Sequence, residues 1–489
     1  MPTYHPTRNK RSKEFTTEHS PTLANPQKDT QTFKEVSERK LIFNHAITVW
    51  VGQIAVMSFG ITDTVVAGRF SEHALATLSI GSAFYITVFV ALMGVLQALL
   101  PALAELRGAG KAHTLGAIFR QSLYLCGFTS LVGIIALLSP HFIFERTQVP
   151  LTLRVEAQTY LAVLAAALPP ALFFRMFSTL NQSLGRPQLV TWVQIAALCI
   201  KIPLSAFFTF GALGFEGLGV VGCAVATLCV NYSMMALALV LLKTQTLYHP
   251  YKIWSPMERI NWREIYELAR LGVPNALSIT VEVSSFTLMA FFIARLGTQA
   301  SASHQIVANF AALMYMVPLS LSIATSARVS YWIGASRRES SHKAIKIGFQ
   351  NVIGMAALNI CLLAIFKNKI AELYAPNPQV AELAASMLAW LCLYHVGDSL
   401  QVLCFFILRC YKITLKPLLI YSVMLWGVGL YGGFSLAYLG VASIPPLLSP
   451  KAFWIASSTA LLFSALLLIA LVIQAQRKNT RLKIRGRLL

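Results

Sequence analysis

Residues 53–69 read QIAVMSFGITDTVVAGR, an apolar stretch of helical length that contains a single carboxylate, Asp63. An ionised side chain in hydrocarbon costs at least about 2.5–3.5 kcal/mol, so an acid in such a stretch usually faces a cavity or a partner of opposite charge. Asp63 is therefore either a functional acid or a structural one that pairs with a basic residue elsewhere. Two more isolated acids in apolar stretches, Glu282 and Asp398, favour the functional interpretation.

The composition around this stretch is that of a membrane protein. The 489 residues are 56% hydrophobic and 12% charged, with a mean hydropathy of +0.63. A soluble domain carries about twice that charged fraction. Apolar runs of about 20 residues, each able to cross about 30 Å of hydrocarbon, recur along the whole chain. We predict an all-α polytopic membrane protein, because the strands of a barrel would alternate polar and apolar residues.

The apolar runs predict twelve transmembrane helices in two lobes of six. Their approximate spans are 41–67, 75–105, 117–139, 156–181, 188–210, 217–242, 267–294, 300–333, 344–366, 382–410, 416–440 and 452–475. The chain then divides into a disordered cytoplasmic tail (1–40), an N-lobe (41–242), a cytoplasmic linker (243–266), a C-lobe (267–475) and a basic cytoplasmic tail (476–489).

The net charge of +21 reflects membrane topology. With the N-terminus inside, the predicted inner loops and the two tails hold most of the Lys and Arg residues, as the positive-inside rule requires. Both termini are then cytoplasmic. The basic residues are expected to contact anionic lipid, and no nucleic-acid partner is expected.

The two halves resemble each other at an offset of 226 residues. Arg69 aligns with Arg295, Ala74 with Ala300, Ala76 with Ala302, Ile80 with Ile306, and Gly108-Ala109 with Gly334-Ala335. The order of these matches indicates an internal duplication. A repeat of six helices predicts two bundles about a pseudo-two-fold axis with a solute site between them.

The second half carries two acids at similar predicted depth, Glu282 and Asp398. Two carboxylates at one depth can share a proton or bind one monovalent cation such as Na⁺. Tyr394 lies one helical turn before Asp398 and adds a hydroxyl or a cation–π face. We therefore predict a cation site formed by these three residues, and we count Asp63, which lies farther toward the outer end of its span, among the cation-coupling residues.

Lys201, which precedes Pro203, is the deepest basic residue in the predicted spans, about 20 Å along its helix. Its ammonium either reaches the cytoplasmic interface or forms an ion pair with Asp63 in a polar cluster that includes Ser205. Arg175, Arg328 and Arg409 lie nearer the cytoplasmic helix ends, so we expect them to extend to the membrane surface.

A flat aromatic cation would need aromatic and polar walls. Phe286, Tyr315 and Met316 either line such a cavity or simply pack in the core, since these residue types are common in any helix bundle. The candidate substrate-binding residues are Asp63, Gln53, Phe286, Gln305 and Met316.

Enzymatic alternatives lack their motifs. The Gly-x-Gly-Asp pattern of intramembrane aspartyl proteases fails because His395 stands in place of the first glycine before Asp398. The sequence has no Walker loop and no Cys-x-x-Cys metal array. We expect neither an enzyme nor a cofactor, and transport would draw on an ion gradient.

Five motifs in order resemble the multidrug and toxic compound extrusion (MATE) family, in its bacterial NorM-like branch. They are Asp63-Thr-Val-Val-Ala-Gly-Arg69, Ala102-Leu-Ala-Glu-Leu-Arg-Gly-Ala-Gly110, Glu282-Val, His304-Gln-Ile-Val-Ala-Asn-Phe310 and Pro318-Leu-Ser-Leu321. The resemblance implies a V-shaped pair of lobes that exports cationic drugs and dyes in exchange for Na⁺ or H⁺. It also implies that Asp63 is the key acid of the N-lobe, and that Glu282, Asp398 and Tyr394 belong to a C-lobe cation site.

The sequence departs from the family pattern in the fifth span. The family commonly has Asn-x-Pro-x-Asn there, whereas this chain reads Lys201-Ile-Pro-Leu-Ser205. An ammonium beside Asp63 would shift ion coupling toward the C-lobe acids.

These features together predict a monomeric multidrug exporter of the bacterial inner membrane that handles cationic or aromatic small molecules. The alternative is a flippase for a lipid-linked saccharide, which shares the general architecture. A flippase is expected to line its cavity with basic residues for a pyrophosphate, whereas the buried charges here are mostly acids.

Overall fold

The computed structural model describes residues 37–140, 151–212, 214–375, 377–441 and 445–485. Most of the predicted N-terminal tail and the last four residues lie outside the described residues. The first helix begins at Glu38, so residues 38–40 are helical rather than part of a disordered tail.

The described chain is almost entirely helical. The α-helices are α1 (Glu38–Phe70), α2 (Glu72–Leu96), α3 (Leu99–Gly108), α4 (Ala112–Leu138), α5 (Leu151–Ser183), α6 (Gln188–Phe210), α7 (Val220–Thr244), α8 (Trp262–Ala294), α9 (Thr298–Gly334), α10 (Arg338–Tyr374), α11 (Pro378–Cys410), α12 (Leu415–Ser422), α13 (Gly432–Phe434) and α14 (Lys451–Arg485). Two π-helical segments (Val423–Tyr431 and Ser435–Leu439), a 3₁₀ helix (Thr246–Tyr251) and a two-stranded antiparallel hairpin (Gly211–Ala212 with Phe215–Glu216) complete the described elements.

Twelve helices in the described part of the chain are long and apolar enough to cross a membrane, which confirms the predicted fold class. Most are longer than the predicted spans, because apolar residues mark only the hydrocarbon segment and the helices continue into polar sequence. The last helix runs to Arg485, so the region predicted as a basic tail is largely helical.

Two predicted spans are less regular than expected. The second is interrupted at Gln97 and Ala98, between α2 and α3. The eleventh passes from α12 into π-helix, a wider helical form. This form is rare in proteins overall, and where it occurs it is often found at functional sites. Four glycines in this segment (427, 429, 432 and 433) leave little side-chain packing to enforce a regular α-helix.

The apolar residues form two large cores, one for each half of the chain. One core gathers buried residues between Val66 and Ala276. The other gathers residues between Met289 and Ala475, together with Ile42 and Ala46 of α1. A small third cluster joins the halves and consists of Val49, Leu100, Ile323, Ala327, Val402 and Phe406.

The backbones of the two halves approach closely where α3 crosses α9. A Cβ atom on Gly108 would collide with the carbonyl oxygen of Tyr331, and a Cβ atom on Gly334 would collide with that of Glu105. Residues 105 and 331, like 108 and 334, are separated by the repeat offset of 226. The two contacts are therefore equivalent under the internal repeat, and they make this crossing a pseudo-symmetric contact between the halves.

Candidate functional site

A cavity of about 400 Å³ lies among α2, α8, α9, α11 and α12. Its walls are mostly apolar, and a few polar side chains converge on it, as is typical of a small-molecule site. The polar and ionisable lining residues are Gln97, Asn275, Ser278, Glu282, Thr287, Tyr315, Tyr394, Asp398, Gln401, Arg409 and Tyr421.

The two C-lobe acids share this cavity. Glu282 comes from the middle of α8 and Asp398 from α11, and the two carboxylates are close enough to interact electrostatically. Tyr394 lies one turn before Asp398, and Tyr421 lies beside Glu282. This arrangement presents two carboxylates and two phenol oxygens, and hard monovalent cations favour such oxygen ligands.

One wall of the cavity is an aromatic cluster around the fully buried Trp454. The ring centroid of Tyr394 lies 5.4 Å from that of Trp454, and the centroid of Phe286 lies 6.3 Å from it. The Phe286 and Tyr394 rings meet edge to face at 6.1 Å, which fixes the orientation of the phenol. The ring centroid of His304 lies 5.8 Å from that of the same tryptophan. His304 therefore packs behind the aromatic cluster and does not line the cavity.

The N-lobe acid has a different environment. Asp63 is 8% exposed, and its Oδ1 atom lies 2.7 Å from the Nζ atom of Lys201, whose exposure is 0%. The Ser205 hydroxyl also donates to Oδ1 at 3.2 Å. Of the two alternatives for Lys201, the structure contains the ion pair and not an extension to the membrane surface.

The lysine ammonium is completely bonded. Besides Asp63, it donates to the Thr227 hydroxyl at 2.7 Å and to the Cys223 carbonyl oxygen at 3.1 Å. An ammonium has three N–H donors, and each has an acceptor here. A cation that approaches Asp63 would have to displace this bound ammonium.

The candidate substrate residues separate into two groups. Phe286 and Met316 line the cavity, as does Tyr315. Gln305 does not: it is exposed on α9 and bonds to Asn309 one turn later. Gln53 lines a separate crevice of about 10 Å³ with Arg175, and Asp63 faces Lys201. Helical periodicity alone did not reveal which side of each helix faces the cavity.

Arg409 contradicts the expectation that it extends to the membrane surface, whereas Arg328 reaches the first residue of α1. Arg409 is 5% exposed and lines the cavity. Arg328 makes a forked contact with Glu38 of α1, with Nε–Oε1 at 2.6 Å and Nη2–Oε2 at 2.8 Å. The indole of Trp332 donates to the same carboxylate at 3.1 Å. Each guanidinium thus has a polar or charged partner in another part of the chain, Gln97 for Arg409 and Glu38 for Arg328.

Several residues that line the cavity were not among the predicted site residues, notably Gln97, Gln401, Arg409 and Tyr421. The two glutamines carried a usable signal, because uncharged polar side chains in apolar spans also need partners. Tyr421 carried none, since tyrosine is common at helix ends.

The described chain has twelve candidate membrane helices in two related halves, and ionisable groups line an internal cavity. These features define the class, a polytopic membrane protein with a solute-sized cavity. The MatE family model matches residues 49–207 and 274–434, and the chain belongs to this family. The family resemblance inferred from the motifs is confirmed.

Individual relatives and solved structures support the same family assignment. A probable multidrug resistance protein NorM from Aromatoleum aromaticum is 36% identical over 400 residues, which cover 81% of this chain and 86% of the relative. A protein of the same name from Neisseria meningitidis serogroup B is 30% identical over 408 residues, covering 82% and 88%. The crystal structure of the eukaryotic MATE transporter AtDTX14 matches the fold with a TM-score of 0.80 at 17% identity, covering 90% of this chain and 98% of that one.

Proposed function

We propose that the protein is a secondary active exporter that exchanges cationic or aromatic drugs and dyes for Na⁺ or H⁺. The observation that carries this proposal is that Glu282 and Asp398 share one largely apolar cavity of about 400 Å³. The names of the relatives, probable multidrug resistance proteins, support the substrate class.

The cavity supports a simple coupling mechanism. Two neighbouring carboxylates that line one largely apolar cavity repel each other, and a bound Na⁺ or H⁺ relieves that repulsion. A cationic drug relieves it in the same way, so ion and drug compete for Glu282 and Asp398. Net exchange then requires only that the two ligands prefer different conformations of the transporter.

The aromatic residues have a distinct role in this mechanism. Phe286, Tyr315 and Tyr394 offer ring faces to a flat cation, and Met316 adds a polarisable apolar surface. Tyr394 and Tyr421 would add oxygen ligands to a Na⁺ held by the two acids. Asp63 contributes to the N-lobe through its ion pair with Lys201.

The same proposal covers topology and assembly. The Lys and Arg surplus in alternate loops supports cytoplasmic termini and a location in the bacterial inner membrane. A monomer as the transporting unit is also part of the proposal. We retain the six-plus-six lobe division at the linker 243–266 as part of the proposal.

Dye efflux from proteoliposomes tests the function. A Na⁺ gradient and a pH gradient are imposed separately on vesicles that contain the wild type, Asp398→Asn or Asp63→Asn. We expect one gradient to drive efflux in the wild type and Asp398→Asn to abolish it. If neither gradient moves several cationic dyes through folded protein, drug export is contradicted, and flipping of a lipid-linked saccharide becomes the function to assay.

A further inference from the structure

Arg409 is a buried cation without an acidic partner. The residue is 5% exposed, and no salt bridge within 4.0 Å involves it among the described residues. Its Nη1 atom donates to the Gln97 side chain at 3.3 Å, and its Cζ atom lies 4.0 Å from the centre of the Phe406 ring. Its buried Nε atom has no hydrogen-bond partner in the described structure.

This arrangement is costly unless something else binds the guanidinium. Arginine cannot lose its proton in a protein, so its charge persists inside the bundle. A buried charge needs a partner of opposite sign to offset its desolvation. Because Arg409 lines the cavity, a ligand in the cavity can supply that partner.

Asp398 and the guanidinium of Arg409 lie on one face of α11, and Glu282 faces the same cavity from α8. Asp398 and Arg409 are eleven residues apart on α11, which is about three turns and about 16 Å along the axis. Gln401 and Phe405 line the cavity between them, and the buried Oε1 atom of Gln401 also lacks a partner. The cavity therefore has a negative end, an aromatic and amide middle, and a positive end.

We propose that Arg409 is the anion-recognising residue of the cavity, and that it binds the carboxylate of an aromatic cargo that carries both a positive and a negative group. The cationic group of the cargo binds near Glu282 and Asp398, and its carboxylate binds the fork of Arg409. A guanidinium matches a planar carboxylate with two parallel hydrogen bonds, whereas a lysine would offer only a point charge. This inference rests on the proposed export function and narrows its substrate class.

A pair of dyes that differ in one group tests the inference. Rhodamine 110 carries a free carboxylate beside its cationic ring system, and rhodamine 123 is its methyl ester. Fluorescence anisotropy measures the binding of each dye to the purified full chain in detergent. The variants are Arg409→Gln, Arg409→Lys and, as a charge-matched control on an exposed surface, Arg263→Gln.

We expect Arg409→Gln to weaken the binding of rhodamine 110 by about tenfold or more, which is the effect of losing a charge-assisted hydrogen bond. Rhodamine 123 should change by less than about twofold, Arg409→Lys should give an intermediate loss, and Arg263→Gln should match the wild type. Equal weakening of both dyes, or no change in their ratio, would overturn the inference.

The outcomes separate this inference from the proposed function. If the wild type exports rhodamine 123 under a gradient but Arg409→Gln leaves the ratio of dye affinities unchanged, only the anion site is wrong. If the wild type binds neither dye and exports none, the export function fails and the inference fails with it. If Arg409→Gln does not fold, Arg409→Lys carries the test, because it keeps the charge and removes the fork.

Discussion

The Nζ atom of Lys201 lies 2.7 Å from the Oδ1 atom of Asp63, inside the first half of a membrane-spanning bundle. Lysine and aspartate are each costly in hydrocarbon, and here each is the principal partner of the other. Thr227, Cys223 and Ser205 supply the remaining hydrogen bonds. The pair is therefore a closed polar unit, and it contrasts with the acids of the C-lobe, which face an open cavity.

Breaking this pair from either side should destabilise the protein. Lys201→Met or Asp63→Asn leaves the other residue buried without its partner, which typically costs about 3–5 kcal/mol. The double variant Asp63→Asn/Lys201→Met removes both charges and should recover most of the loss. Thermal unfolding in detergent measures the four melting temperatures. Simple addition of the two single effects in the double variant would contradict the pairing.

Ion coupling should survive the loss of this pair. Because the Asp63 carboxylate is already paired with the Lys201 ammonium, we expect the coupling ion to bind at Glu282 and Asp398 instead. The folded double variant Asp63→Asn/Lys201→Met should retain gradient-driven dye efflux, with the same ion preference as the wild type. Glu282→Gln should abolish it. Loss of coupling in the double variant, with its melting temperature preserved, would show that Asp63 takes part directly.

The crossing of α3 and α9 should tolerate no side chain. Gly108→Ala or Gly334→Ala places a Cβ atom against the carbonyl oxygen of Tyr331 or Glu105, so the backbones must separate. We expect each variant to lower the melting temperature and slow transport. Gly127→Ala and Gly354→Ala are matched controls, because both lie in helices and a Cβ atom there has no neighbour within 4 Å.

The controls should be neutral or slightly stabilising, since alanine is favoured over glycine in a helix by about 1 kcal/mol. Equal behaviour of crossing and control glycines would contradict a tight contact. Because the two crossing contacts are equivalent under the repeat, Gly108→Ala and Gly334→Ala should also have effects of similar size.

The forked contact between Glu38 and Arg328 should hold the start of α1 against α9. Glu38→Gln removes the charge-assisted bonds and should cost about 1.5–3 kcal/mol locally. Hydrogen exchange of residues 38–45 should accelerate. Glu267→Gln is the control, because its pairing with Arg263 one turn away is solvent-exposed and should contribute little. Unchanged hydrogen exchange in Glu38→Gln would show that this contact does not hold the start of α1 in place.

The sequence predicted those features that depend on local composition. The length of the apolar runs predicted the twelve helices. The 226-residue offset paired Gly108 with Gly334, and these are the two glycines of the α3–α9 crossing. The depth of Lys201 along its helix pointed to Asp63, because few other carboxylates lie at membrane depth. In each case one physical constraint, the cost of polar groups in hydrocarbon, limits the possible arrangements.

The features that the sequence missed depend on how helices rotate and where they break. Gln305 was expected near the substrate and is exposed, whereas Arg409 was expected at the membrane surface and lines the cavity. Both residues sit in long apolar helices whose periodicity is weak, because lipid and protein interior are about equally apolar. Gln97 lies at a helix break four residues before Pro101, whose nitrogen cannot donate to the Gln97 carbonyl oxygen. The sequence therefore carried a signal for the break, which the length of the apolar run alone did not register.

In the proposed mechanism, ion and cargo compete for the carboxylates of Glu282 and Asp398. The most direct test is the affinity of the purified protein for rhodamine 123, measured by fluorescence anisotropy across a Na⁺ series at fixed pH and a pH series without Na⁺. We predict that the coupling ion weakens dye binding in the wild type, by reciprocal linkage, and that Asp398→Asn loses this dependence. A dye affinity that is independent of both ions in the wild type, or equally dependent on the ion in Asp398→Asn, would show that ion and dye do not compete for these carboxylates.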